Sequence, residues 1–230
     1  MDFAFLSETF TALLAGLPLT LNLALTSTVI GLIGAMALAL SRQSGVALLA
    51  YTAKAYVFVF RGTPLLIQIF LIYYGLGQFR PTLQEWGLWG VLRSSYWCAI
   101  IALAMNTAAY GSEIIRGGIA AVPHGAIEAA QACGMGPVLR LRRIVFPLAL
   151  RIALPAYGNE LILMVKATSL ASVITLMEIT GLASKLISQT YRSVEVFACA
   201  GLIYLVLNFL LTRMVHALEW KLSTERRRTA

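Results

Sequence analysis

Three sets of polar residues interrupt an otherwise apolar chain, each at a spacing that a helix can present. Glu160 and Lys166 stand six residues apart between Pro155 and Ser169, in the company of Asn159, Thr168 and Ser169. Asn106, Tyr110 and Glu113 fall at i, i+4 and i+7, so a helix carries them on one face. Glu128-Ala129-Ala130, then Gly134, Ile144 and Pro147, mark the longest polar and basic interruption, His124 to Pro155. The first set marks a transport pathway or a structural ion pair with a partner helix, and the second must point into protein or a water-filled cavity. The third predicts a helix, a sharp turn and a helix at the water side of a membrane. Nothing suits catalysis. There is no phosphate-cradling G-x-x-x-x-G-K-[ST], no H-E-x-x-H and no nucleophile–base pair on a shared face. His124 and His216 have no partner pattern, and the three cysteines (Cys98, Cys133, Cys199) lack disulfide or metal-ligand spacing. The chain on its own cannot hydrolyse ATP and needs no cofactor.

The elements that position these residues are membrane helices. The chain has 230 residues, 59% hydrophobic and 12% charged, with a mean hydropathy of +0.80. Soluble domains carry about 25% charged residues. The expected architecture is an all-α integral membrane protein, one domain over residues 1–230. Its five spans fall at about 17–40, 64–79, 96–115, 155–175 and 196–212, with a polar loop at 123–150. Residues 1–16 hold no Lys or Arg, which argues against a cleaved signal peptide. Ala47 to Phe79 reads as an interfacial helix followed by a span, or as one bent helix, broken at Arg61-Gly62-Thr63-Pro64. In either case Lys54 and Arg61 are expected to snorkel to the headgroups. Gln68 serves packing or the pathway equally well.

Charge sets the orientation. Residues 41–62, 116–151 and 213–230 carry 13 of the 18 Lys and Arg. Placing that side in the cytoplasm puts the N-terminus outside and the C-terminus inside. The net charge of +8 then reflects topology rather than nucleic acid, and Arg226-Arg227-Arg228 suit anionic headgroups.

Local rules shape the loop and the fourth span. Ala126 to Cys133 predicts a short helix; Gly134 ends it with a positive φ, Pro137 opens a second piece, and Pro147 stops that piece. Pro155 then opens the fourth span, placing Lys166 ~17 Å further on, near mid-bilayer, where an uncompensated charge costs at least ~2.5 kcal/mol. About 240° of helix separates Glu160 from Lys166, so each wants another partner: a neighbouring helix, another subunit, water or a charged solute. Asn106 and the Thr168 and Ser169 hydroxyls are open to a pathway role or to helix packing. Glu113 suits the interface.

The spacing E-A-A, three residues, G, nine residues, I-x-x-P resembles the EAA loop of permease subunits of bacterial ABC importers. Here Phe146 replaces the usual Leu. Arg61-Gly62-Thr63-Pro64-Leu65 and Asn159-Glu160 with Lys166-x-Thr168-Ser169-Leu170 resemble elements of the polar and basic amino-acid permeases, whose arginine, histidine/lysine/arginine/ornithine and opine members are similar along nearly the whole chain. That resemblance implies a type I ABC importer permease fold with a cytoplasmic coupling helix in the inner membrane. Its partners would be two ATPase subunits carrying ATP and Mg, a second, homologous permease and an extracytoplasmic amino-acid-binding protein. The solute would be arginine or a related basic amino acid or opine, moved by alternating access. Glu128 would then touch the ATPase, Gly134 would let the loop turn, and Ala129 and Ala130 would allow close approach. Glu160 would hold the solute's cationic group, and Lys166 a carboxylate or a neighbouring acid. A secondary transporter or channel without an ATPase is the alternative, although no repeated halves are visible.

Overall fold

The computed structural model describes residues 3–222; the expected headgroup-binding cluster Arg226–Arg228 lies outside them. Every regular element among the described residues is helical. In chain order these are α1 (Phe3–Leu14), α2 (Leu17–Gln43), α3 (Ala47–Gly62), α4 (Leu65–Phe70), α5 (Arg80–Glu85), α6 (Trp89–Leu92), α7 (Ser95–Ala120), α8 (His124–Ala132), α9 (Pro137–Arg140), α10 (Phe146–Ala167), α11 (Ile179–Thr190) and α12 (Ser193–Leu222). Four stretches are long and apolar enough to cross a membrane: Phe3–Gln43, Ser95–Ala120, Pro137–Ile174 and Ser193–Lys221. Ala47–Gly62 with Leu65–Glu85 supplies a fifth if counted as one span, bent by 106° at the break. The all-helical fold is the one expected, and the bend favours two pieces over a single curved helix.

Small residues let the central helices touch. α2 and α7 pack most extensively, along Ala35, Ala39, Ala104 and Ala108, all nearly inaccessible. A Cβ on Gly31 would sit 2.8 Å from the Thr107 side chain, and one on Gly118 of α7 would sit 2.8 Å from the Ala149 carbonyl of α10. Lipid tails are as apolar as leucine, so close packing rather than water exclusion holds such helices together.

Two prolines behave otherwise than expected. Pro147 lies in the first turn of α10 instead of ending a helix, and Pro155 lies inside α10 instead of opening it. With no N–H to give, Pro147 interrupts the backbone ladder at the junction with the preceding turn. A π-helical turn, Leu141–Val145, runs directly into α10. Lys166 consequently sits in the last turn of α10, about 30 Å from its start by helical rise. A 3-10 stretch, Thr168–Ile174, continues directly beyond it, and the depth counted from Pro155 as the start of the span does not hold.

Pro64 does break the chain. It cannot donate to the Phe60 carbonyl four residues back. The buried Gln68 side chain supplies the missing donor: its Nε2 reaches the Phe60 carbonyl at 2.9 Å, the Thr63 carbonyl at 3.1 Å and the Thr63 hydroxyl at 2.9 Å. Asn106 of α7 donates to the Gln68 Oε1 at 3.2 Å and to the same Phe60 carbonyl at 3.5 Å. Gln68 is thus a joint residue.

A second polar knot ties α11 to α12. Glu178, fully buried, caps α11 by accepting from the Thr180 and Gly181 amides at 2.9 and 2.8 Å, and it accepts the Tyr204 hydroxyl of α12 at 2.8 Å. Burial pushes its carboxyl above the ordinary carboxylate range, opposed by the Thr180 amide, the Tyr204 hydroxyl and the Gly181 amide. The backbone at Glu178–Ile179 lies so close to Gly16 that a Cβ there would be 2.6 Å from the Ile179 nitrogen.

Two stability outcomes are expected. Glu178→Ala removes a cap and the carboxylate that accepts the Tyr204 hydroxyl, leaving that hydroxyl only its Thr180 contact and lowering stability by about 2–4 kcal/mol, with Glu178→Gln intermediate. Gln68→Leu removes the donor to the Thr63 carbonyl, leaves the Phe60 carbonyl only the longer Asn106 contact and strips Asn106 of its Gln68 acceptor, a loss of about 1–3 kcal/mol. Thermal unfolding in detergent checks both, with Ile67→Leu on the exposed neighbouring face as the unchanged control.

Candidate functional site: a charged cleft and an exposed turn

The Pro64 break opens space between α3, α7 and α10. A cleft of about 460 Å³ is lined by Arg61, Thr63, Asn106, Thr107, Tyr110 and Glu160, with apolar walls from Leu65, Leu163 and Met164. Its volume falls in the ~300–1,000 Å³ range of small-molecule sites. Glu160 is its one carboxylate and Arg61 its one cation. Thr107 is 1% exposed, and its hydroxyl has no partner among the described residues. The stripe read on α7 therefore does face a cleft: Asn106 and Tyr110 stand on its wall beside Glu160 of α10.

A second space of about 430 Å³ shares Arg61, Gly62 and Tyr110 with the first and adds Arg42, Lys54 and Glu113. Glu113 is paired with Arg42 of α2 and, at 2.8 Å, with Arg116 one turn further along α7. It therefore joins two helices, which an interfacial reading did not anticipate. Arg61 also departs from expectation. Its guanidinium lies over the Tyr110 ring, 5.2 Å from the centroid, and lines both spaces. The chain turns by 106° just after Arg61, at the break that follows Gly62.

The remaining residues of the fourth-span set stay outside. Asn159 and Lys166 are exposed on α10 and line neither space. Thr168 is fully buried and donates to the Val165 carbonyl at 2.7 Å, and Ser169 donates to the Lys166 carbonyl at 2.7 Å. Those two hydroxyls cap the end of α10. Arg61 went unrecognised as a cleft residue; an arginine three residues ahead of a span-breaking proline was the available signal.

The other candidate region is the turn α8–α9. Gly134 has φ +75°, and the Gly134 and Met135 amides donate to the Gln131 and Ala130 carbonyls at 2.9 and 3.0 Å. This is the left-handed helix end that glycine alone adopts without steric cost. Glu128 and Ala129 are exposed on α8. Ala130, expected with Ala129 to allow close approach of a partner, is 4% exposed and turned inward. Ile144 and Pro147 are half-buried. Val122, Val145 and Ala149, with Ile119, Ile127 and Leu148 against them, seat α8 on the ends of α7 and α10. Beyond the turn Val138, Leu139 and Leu141 are exposed beside Arg142 and Arg143, an apolar and basic surface that suits a protein partner.

Comparison with known proteins agrees with this layout. Residues 27–224 match the family described as "Binding-protein-dependent transport system inner membrane component". The chain is 60% identical to the octopine transport system permease protein OccM of Rhizobium meliloti, over 99% of this chain and 93% of that one. It is 48% identical to the arginine ABC transporter permease protein ArtM of Escherichia coli (strain K12), over 78% of this chain and 80% of that one. Its fold superimposes on a chain from the crystal structure of an amino acid ABC transporter with histidines, with a TM-score of 0.86 and 34% identity, over 96% of this chain and 99% of that one. A membrane-embedded transport permease rather than an enzyme, the chain belongs to the family of binding-protein-dependent transport system inner membrane components.

Proposed function

We propose that this chain is one of two permease subunits of an ATP-driven importer for arginine or an arginine-derived opine, and that the solute's guanidinium is held by Glu160. The observation that carries the reading is Glu160 as the one carboxylate of a cleft between α3, α7 and α10. A carboxylate in a water-poor site is costly unless a cation answers it, and among the described residues Glu160 has no ion-pair partner. The octopine and arginine permeases among the relatives agree in solute chemistry, since octopine is a conjugate of arginine. Asn106 and Tyr110 line the path; Lys166, exposed at the end of α10, is reserved for an acid on the second permease.

The partners follow from the turn. Two ATPase subunits bind ATP and Mg beneath a pair of homologous permeases, and an extracytoplasmic binding protein delivers the solute from the opposite side. The N-terminus lies outside and the C-terminus in the cytoplasm, which puts α8 where an ATPase can grip it. Glu128 and Ala129 meet that partner, Gly134 shapes the turn, and Ala130, Ile144 and Pro147 seat it on the permease. Closure of the ATPase pair on ATP moves α8 and swings the spans between inward-facing and outward-facing states.

Affinity recovery of the tagged chain from its native membrane tests the assembly: an ATPase and a second permease should accompany it. Glu128→Arg should cut ATPase recovery at least tenfold while the second permease stays. Recovery of the chain alone, indifferent to that change, would point to a transporter without an ATPase. For the solute, Glu160→Gln should raise the KM for arginine uptake at least tenfold, about 1.4 kcal/mol of lost binding. Equal, unchanged uptake of cationic and neutral amino acids by Glu160→Gln would remove Glu160 from recognition.

A further inference from the structure

We propose that Arg61 is the carboxylate-binding residue of the translocation cleft, a solute contact set opposite Glu160; this rests on the reading of the cleft as the solute's path. Arg61 is the cleft's one cation, and it has no carboxylate partner among the described residues, where the ion pairs join Arg42 and Arg116 to Glu113, Arg192 to Glu195 and His216 to Glu219. Glu160 stands in the same cleft, yet the two are not paired. A structural ion pair would have brought them together. Two opposite charges held apart in one cleft instead match a solute with a cationic end and an anionic end.

The pose of Arg61 suits the role. Its guanidinium carbon lies over the Tyr110 ring, 5.2 Å from the centroid. A cation–π contact consumes none of the guanidinium N–H donors, whose fork can receive both oxygens of a carboxylate. Tyr110 is itself fixed on α7, whose Asn106 one turn earlier is tied to the Pro64 joint through Gln68 and the Phe60 carbonyl. The support beneath Arg61 is thus anchored at the same break that turns the chain after Gly62. Toward the second space Arg61 is joined by Lys54 and Arg42, so the carboxylate side of the path is the more basic one.

The experiment is equilibrium binding to the purified permease–ATPase complex in lipid nanodiscs, with the binding protein omitted so that its own selectivity plays no part. The probes are L-arginine and argininamide, which keeps the guanidinium and α-amino group but replaces the carboxylate with a neutral amide. The intact complex should bind arginine at least tenfold more tightly than argininamide. Arg61→Gln should abolish that preference by weakening arginine alone, with argininamide changed less than twofold, and Arg61→Lys should restore part of it. Equal weakening of both ligands by Arg61→Gln, an undiminished preference, or an intact complex with no preference at all would each overturn the assignment. Glu160→Gln separates the two readings. If it leaves both ligands unaffected while Arg61→Gln still abolishes the preference, the Glu160 reading fails and the Arg61 assignment stands. An intact complex that binds neither probe overturns both.

Discussion

Lipid offers no hydrogen bonds, so the Phe60 carbonyl, deprived of its amide by Pro64, must find a donor within the protein. Much of the functional half of the molecule follows from that requirement. Gln68 folds back onto the broken end, and Asn106 of α7 reaches across to both Gln68 and Phe60. The broken helix is thereby fastened to α7, the most buried of the candidate spans among the described residues. Tyr110, one turn beyond Asn106, becomes a fixed platform for Arg61 at the edge of the break. The cleft exists because α3 and α4 diverge there, and Thr63 and Asn106 of its polar lining also help to hold the divergence in place.

Elsewhere the chain is held by two other means. Between α2, α7 and α10 the helices approach through glycine and alanine until there is no room for a methyl group. At the opposite corner the buried Glu178 joins a turn, a helix start and the Tyr204 hydroxyl of α12. Dense seams and a buried polar knot make these regions a rigid frame. Open volume is left where the frame stops, along α3 and the inner wall of α10, which is also where the unpaired charges collect.

The fold was legible because hydropathy and charge asymmetry act over long stretches and do not depend on neighbours. The turn at Gly134 was legible because a left-handed residue after a short helix has one common solution. The α7 stripe could be read from spacing alone, since a 3.6-residue period fixes which residues share a face. Failures arose where tertiary context decides. Pro147 looks like a helix stop and Pro155 like a helix start by local rule, yet one occupies a first turn and the other is carried within α10. That shift of the helix start places Lys166 further along its helix than the count from Pro155 did. Thr168 and Ser169 looked like pathway hydroxyls and instead cap backbone carbonyls. Glu178 could not be singled out, because its partner Tyr204 lies 26 residues away and only folding brings them together. Arg61 was hidden by its resemblance to an ordinary boundary arginine.

The seat of α8 has a mechanical consequence. α7 is an unbroken rod of 26 residues, and Val122 locks its lower end to Val145 and Ala149 beneath the exposed turn. Tyr110 lies ten residues above the end of that rod, about 15 Å at helical rise. A tilt of only about 5° at the bottom therefore displaces the aromatic platform by about 1 Å. α10 starts from the same seat and carries Glu160, so the two walls of the cleft are levers on a shared fulcrum. A push on α8 alters their separation, and with it the distance between the two charged stations, without any helix having to unwind.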